Sequence, residues 1–300
     1  MRAIIISNGR TCYTEAAGMP TLTALRNVLV KVCYAGICRT DVGIANGTVA
    51  HQDGIVLGHE FCGVIEAFHH GGTSCDGWHT GMAVSCNPML FGETEAEDVM
   101  CGKEVDGAFA EFIAVPSRAL VGLSPHLLCP LGAYLEPVAA ALAPVELIRH
   151  RHLGDVCVFG DNRIAELTLQ VAHVMGCKQV KRVGHIAELT ANSYDCIIET
   201  EPEHLDAYVR ALRPKGMLVL KSRAFQPSLL TANDVAMKEI TIQGARYGDF
   251  GTASQLLSDT WAGVGLHTET LLGECYELRE YEKAFEEAGK KGKKVFLCAE

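Results

Sequence analysis

Up to about residue 130, apolar and β-branched positions come in short runs separated by glycine and other turn formers. Residues 3–6, 27–34, 63–67 and 108–115 have this character and are predicted to be strands. Gly43, Asn46, Gly47, Gly54 and Gly58 fall between the second and third of these and mark loop. Short strands with glycine turns indicate an all-β, barrel-like domain.

Near residue 131 the spacing changes. Residues 131–148 are rich in Ala and Leu at helical intervals. Strand and helix then alternate: strand 155–160 ending in glycine, helix 164–175, strands 178–183 and 194–200, helix 205–212, and strands 217–222 and 239–244. Such alternation builds a parallel sheet covered on both faces, a Rossmann-type doubly wound arrangement. The end of the chain reads as strand 275–278, helix 281–289 and strand 294–297. The predicted class is α/β, with residues 1–140 forming a β-rich domain, 141–266 the doubly wound domain, and 267–300 returning to the first.

Composition agrees with a folded two-domain protein: 300 residues, 48% hydrophobic, with 30 glycines spread along the chain rather than gathered in a tract. A net charge of −10 argues against nucleic acid or an anionic membrane as partner. The basic cluster Lys290, Lys291, Lys293 and Lys294 reads as a solvated helix end. No run of about 18 apolar residues is present, and the apolar N-terminal run is too short for a signal peptide, so a soluble cytoplasmic protein is expected. Thirteen cysteines without a spaced framework, mostly in apolar contexts such as Cys33, Cys157 and Cys196, read as buried thiols in a reducing compartment.

Two segments carry candidate chemistry. Residues 36–41 and 58–63 supply Cys38, Asp41, His59 and Glu60, and Glu136 lies far downstream. A thiolate, an imidazole and a carboxylate are ligand types that zinc prefers. Each residue alone has another explanation: Cys38 as a buried thiol, His59 as a hydrogen-bonded core imidazole, Glu136 as a helix N-cap carboxylate.

The motifs Ala35-Gly36-Ile37-Cys38-Arg39-Thr40-Asp41, Gly58-His59-Glu60-x-x-Gly63, Asp106-Gly107-Ala108-Phe109-Ala110-Glu111-Phe112 and Glu136-Pro137 precede the strand that ends at Gly160. In their order and spacing the chain resembles the zinc-dependent medium-chain alcohol dehydrogenases nearly end to end. It is most similar to the threonine and sorbitol dehydrogenase-like branch, where a Glu-Pro carboxylate takes the place of a ligand cysteine. The resemblance implies a GroES-like first domain and one catalytic zinc held by Cys38, His59 and Glu136, with Glu60 as a neighbouring or exchangeable ligand. It also implies that Thr40 passes the alcohol proton toward solvent and that Asp41 orients the ligands.

The chain departs from this pattern in several places. In residues 85–101 only Cys86 and Cys101 occur, too far apart for a Cys-x-x-Cys clip and with Cys75 the one other thiol nearby, so no structural zinc is expected. The turn Gly160-Asp161-Asn162-Arg163-Ile164-Ala165 keeps only the first glycine of G-x-G-x-x-G. Asn162 tolerates positive φ and Ala165 allows close packing, which leaves the helix N-terminus to a pyrophosphate with Arg39 and Arg163 as cationic partners. The alternative is a plain strand-to-helix turn.

No acidic residue stands near Val183 or Gly184 to hold a ribose, which favours NADP(H) over NAD(H). Arg182 and His185 are then candidates for its 2′-phosphate, or else a solvated strand edge. Residues 186–193 are too short for the usual helix and strand, so one outer strand-helix unit is expected to be missing. Lys221 and Arg246, following strand ends, border the nicotinamide or substrate in this reading. His51, a possible alternative proton acceptor, reads better as a loop histidine, as do His69 and His70.

The expected function is an NAD(P)-dependent zinc alcohol dehydrogenase acting on a polyol, sugar derivative or amino alcohol, as a homo-oligomer (dimer or tetramer). The alternative is a non-catalytic or altered-function relative that keeps zinc and has lost normal nucleotide binding.

Overall fold

The computed structural model describes residues 1–94, 97–151, 153–222, 228–290 and 292–299; Glu95 and Ala96 of the cysteine-poor stretch, and Lys291 of the basic cluster, lie outside the described residues. The first part of the chain holds strands β1 (Ala3–Ser7), β2 (Arg10–Thr14) and β3 (Val28–Gly36), then helix α1 (Arg39–Ala45). There follow β4 (Glu60–Phe68), β5 (Ser74–Cys75), β6 (Trp78–His79), β7 (Ala83–Cys86), β8 (Phe112–Val115) and β9 (Leu120–Gly122). Next come α2 (Leu135–Ile148), β10 (Val156–Phe159), α3 (Arg163–Val174), β11 (Val180–Val183), β12 (Tyr194–Glu199), α4 (Leu205–Ala211), β13 (Leu212–Leu220), α5 (Ala232–Lys238) and β14 (Thr241–Gly244). The chain closes with α6 (Phe250–Trp261), α7 (Thr268–Leu271), β15 (Leu272–Glu277), α8 (Tyr281–Gly289) and β16 (Lys294–Cys298).

Two compact units result: Met1–Glu136 with Phe250–Glu300, and Pro137–Asp249. The sequence reading placed these divisions at 140/141 and 266/267. Helix α6 accounts for the second difference, because its Ser254 hydroxyl donates to the Gly122 carbonyl and its Trp261 ring stacks on His126, both in the first unit.

In the first unit a seven-stranded sheet runs β15-β16-β3-β4-β7-β9, with β8 also paired to β3. Strand β3 alternates as its sequence requires, with Val28, Val30 and Val32 buried and Lys31 exposed. Antiparallel pairing sets Gly36 opposite Glu60 on β4, and opposite Phe296 on β16. The ends of three strands distant in sequence thereby meet beside Cys38. Ile4, Val30, Phe61, Phe109 and Leu297 belong to the core beneath. Of the predicted strand 108–115 only Phe112–Val115 is regular. Ala108 and Phe109 instead donate to Gly58 and Leu57 carbonyls, which clamps the loop leading to His59.

The second unit is a five-stranded sheet, β11-β10-β12-β13-β14, parallel throughout. Among the described residues no strand lies outside β11, whose exposed Lys181 and Arg182 discourage edge pairing. Its core gathers Cys157, Phe159, Ile197, Tyr208 and Leu218. No helix among the described residues is long and apolar enough to cross a membrane.

Candidate functional site

Strand β3 delivers Cys38 to the N-cap of α1, where its N–H donates to Asp41 Oδ2 at 2.8 Å. His59 stands immediately before β4 and Glu60 begins it. Cys38, His59 and Glu60 each offer a ligand atom within 4.8 Å of the others'. His59 and Glu60 are buried and Cys38 partly so. The sequence motifs therefore converge in space, with Glu60 rather than Glu136 completing the tightest group.

Glu136 is buried in the first turn of α2, where its charge opposes ionisation of Cys38. Thr40 Oγ1 lies 3.8 Å from Cys38 Sγ. Asp41, fully buried, faces His59 with its Oδ1 3.4 Å from Nδ1.

The donors fit a metal. His59 Nδ1 faces Asp41 Oδ1, and the buried Nε2 makes no hydrogen bond, a costly state unless something supplies or accepts a bond there. The set of one sulfur, one imidazole and one carboxylate suits zinc, and leaves room in its coordination for a substrate oxygen.

Electrostatics tell the same story. Burial resists ionisation of Cys38, but the His59 ring and the Lys294 ammonium outweigh it and bring the thiol down to about 6. Burial likewise opposes charge on His59, and Asp41 and Cys38 overcome it, so the imidazole is pushed well above its ordinary value. Both shifts favour the charged forms of Cys38 and His59, and a cation arriving there would displace the His59 proton. Burial raises Glu60 to about 7, against the pull of Lys294, whose Nζ meets Glu60 Oε2. Lys294, read from the sequence as part of a solvated helix end, is instead buried at the start of β16 and belongs to the site; the available signal was a lysine opening an apolar terminal strand.

The strand-to-helix turn of the second unit differs from expectation. Asn162 does not adopt positive φ: it is extended, with φ −147, and caps α3 by accepting from Ile164 N–H and Ala165 N–H at 3.1 and 3.0 Å. Its Nδ2 donates to Thr200 Oγ1 at 2.9 Å and to Glu201 Oε1 at 3.2 Å. Glu201 Oε1 also accepts the Asp161 N–H at 3.0 Å. The amides expected to meet a pyrophosphate are in this structure held by the chain's own side chains. Glu201, likewise missed, carried the signal of an acidic residue directly beyond a strand end on the side where nucleotides bind.

Other predicted residues are dispersed. Gly160 follows β10 with φ +142, and Arg163 opens α3. Arg182 is engaged by Asp161 and Glu166 at 3.9 and 3.8 Å. His185 is exposed, as is Arg39 on α1. Lys221 N–H donates to the buried Glu199 carboxylate and its Nζ to the Arg246 carbonyl. His51 bonds the Val49 carbonyl in its loop, and His69 and His70 are exposed. Cys86 and Cys101 are buried together, Cys101 held well above its ordinary range by burial and by Cys86.

A β-sheet unit with a Cys-His-Glu cluster at its strand ends, joined in one chain to a doubly wound parallel sheet, defines a medium-chain dehydrogenase architecture. Residues 25–125 match the alcohol dehydrogenase GroES-like domain. The galactitol 1-phosphate 5-dehydrogenase of Escherichia coli (strain K12) is 30% identical over 202 residues, 64% of this chain and 58% of that protein. The matched region thus spans under two thirds of that relative. The sorbitol dehydrogenase of Halalkalibacterium halodurans is 25% identical over 95% of both chains. The crystal structure of galactitol-1-phosphate dehydrogenase from Escherichia coli superposes with a TM-score of 0.84 at 24% identity, covering 99% of this chain and 100% of that one, which shows a shared fold. In its GroES-like domain and its fold the chain is similar to medium-chain alcohol dehydrogenases.

Proposed function

We propose that the protein is a zinc-dependent oxidoreductase moving a hydride between a nicotinamide dinucleotide, NADP(H) in preference to NAD(H), and a secondary alcohol or its ketone. The substrate class suggested by its relatives is a polyol, sugar derivative or amino alcohol. The observation that carries this reading is the convergence of Cys38, His59 and Glu60, with the buried His59 Nε2 making no hydrogen bond.

Cys38 and His59 would hold the ion, with Glu60 and Glu136 as the carboxylates at hand. Zinc bound there supplies a Lewis acid for the substrate oxygen. Asp41 fixes the orientation of the His59 ring, and its second oxygen anchors the Cys38 backbone. Thr40, partly buried beside Cys38, would take the hydroxyl proton and hand it toward solvent. Lys294 keeps Glu60 paired and so limits the negative charge facing the ligands.

Deuterium transfer from a panel of C-deuterated polyols to NADP+ tests the proposal. The zinc-loaded protein should label the nicotinamide with at least one of them, and Cys38→Ser should abolish transfer while leaving the far-UV circular dichroism unchanged. Absence of transfer from the whole panel, or retention of it by Cys38→Ser, would refute the reading. The second reading, a zinc-bearing relative without normal nucleotide binding, is favoured by the occupied turn at Asp161 and Asn162.

A further inference from the structure

In a doubly wound sheet the dinucleotide pyrophosphate sits on the first strand-to-helix turn, on amides at the helix N-terminus. Here that turn is closed from within. Asn162 Oδ1 accepts from the amides of Ile164 and Ala165, and Glu201 Oε1 accepts from the Asp161 amide and from Asn162 Nδ2. The Asn162 amide group is further tied to Thr200, whose own hydroxyl donates to the Phe159 carbonyl at 2.8 Å. Glu201 is therefore an anionic acceptor already seated on the amide that leads into the α3 cap, and it anchors the Asn162 side chain that holds the helix amides a phosphate would use.

The surrounding charge adds to this. Arg182 is shared between Asp161 and Glu166. Asp161, Glu166 and Glu201 outnumber Arg163 and Arg182 at the turn, where two phosphate charges must arrive. Like charges in a partly desolvated site repel one another, and a carboxylate competes for an amide on equal chemical terms with a phosphate oxygen.

We propose that Glu201 is an affinity-determining residue for the nucleotide, an internal stand-in for the pyrophosphate that must leave the Asp161 amide before a dinucleotide can bind. This inference rests on the dinucleotide-dependent function proposed above. It makes wild-type binding weak for NADPH and NADH alike, because the competition is with the shared pyrophosphate and not with the 2′-phosphate. It equally predicts indifference to ligands without phosphate.

The test compares the full-length zinc-loaded wild type with Glu201→Gln and Glu201→Ala. NADPH and NADH are titrated by fluorescence, and ADP-ribose and adenosine by calorimetry. Both variants should bind NADPH, NADH and ADP-ribose about tenfold or more tightly than wild type, the effect of losing one like charge and one competing acceptor. Adenosine affinity, zinc content and circular dichroism should stay unchanged. Equal or weaker nucleotide binding by the variants would overturn the inference and leave the oxidoreductase reading standing. Failure of all three proteins to bind any nucleotide would overturn both. Tightening that extends equally to adenosine would also overturn it, since a general opening of the pocket would then be the cause.

Discussion

Lys294 and Glu60 form an ion pair with side chains only 2% and 1% exposed, seated where a Cβ on Gly36 would lie 2.6 Å from Glu60 Oε2 and 2.8 Å from Lys294 Cε. Glycine at the end of β3 is what gives two charged groups room to meet beside the proposed metal ligands. Removing one partner strands the other in the interior. Lys294→Met should destabilise the zinc-free protein by about 3–5 kcal/mol, and adding Glu60→Gln to it should restore much of that. Denaturant unfolding of the single and double variants checks this; a Lys294→Met protein as stable as wild type would contradict it.

Gly58 precedes His59 with φ +94, and a Cβ there would stand 2.3 Å from Phe109 Cδ1. Gly58→Ala combines a left-handed backbone with a collision against a buried ring, and should cost roughly 2–5 kcal/mol. Gly54→Ala is the control: its φ is +79 but nothing lies within 4 Å of the added methyl, so backbone strain of about 1–2 kcal/mol is expected alone. Thermal unfolding of the two variants should separate them clearly, and zinc uptake should suffer in Gly58→Ala only.

The lowered pKa of Cys38 predicts a reactive thiolate. Zinc-free protein should be alkylated by iodoacetamide at Cys38 with a midpoint near pH 6, and zinc should protect it. The stability this thiolate contributes is fully present above its ordinary value of 9.0 and is lost as the pH falls through about 6. Glu60, raised from 4.5 to about 7, acts in the opposite sense: its contribution is present below 4.5 and lost as the pH rises through 7. Peptide mapping of alkylated protein across this range reads the first effect. A Cys38 midpoint in the ordinary thiol range would contradict it.

The meeting of Cys38 with His59 was legible in the sequence as candidate chemistry, because Cys38, Thr40 and Asp41 lie on one turn and His59 and Glu60 adjoin in one motif; that Glu60, expected as a neighbour, and not Glu136 joins their cluster was not. Lys294 was not, since its contact with Glu60 arises only when β16 and β4 pair with opposite sides of β3. The alternation of strands and helices announced the parallel sheet through periodicity alone. At the nucleotide turn the same reasoning misjudged Asn162, assigning it a backbone role when its side chain caps α3. Glu201 reaches that turn from just beyond the neighbouring strand β12, a proximity no local pattern encodes.

The central claim, a metal held through Cys38 and His59, is tested most directly by the electronic spectrum of the cobalt-substituted protein. The account predicts uptake of about one cobalt per chain with a thiolate-to-metal charge-transfer band and the d–d pattern of a four-coordinate ion. Cys38→Ser should lose the charge-transfer band, and His59→Ala should lose most of the metal. Failure of the wild type to take up cobalt, or a charge-transfer band that persists in Cys38→Ser, would contradict the account.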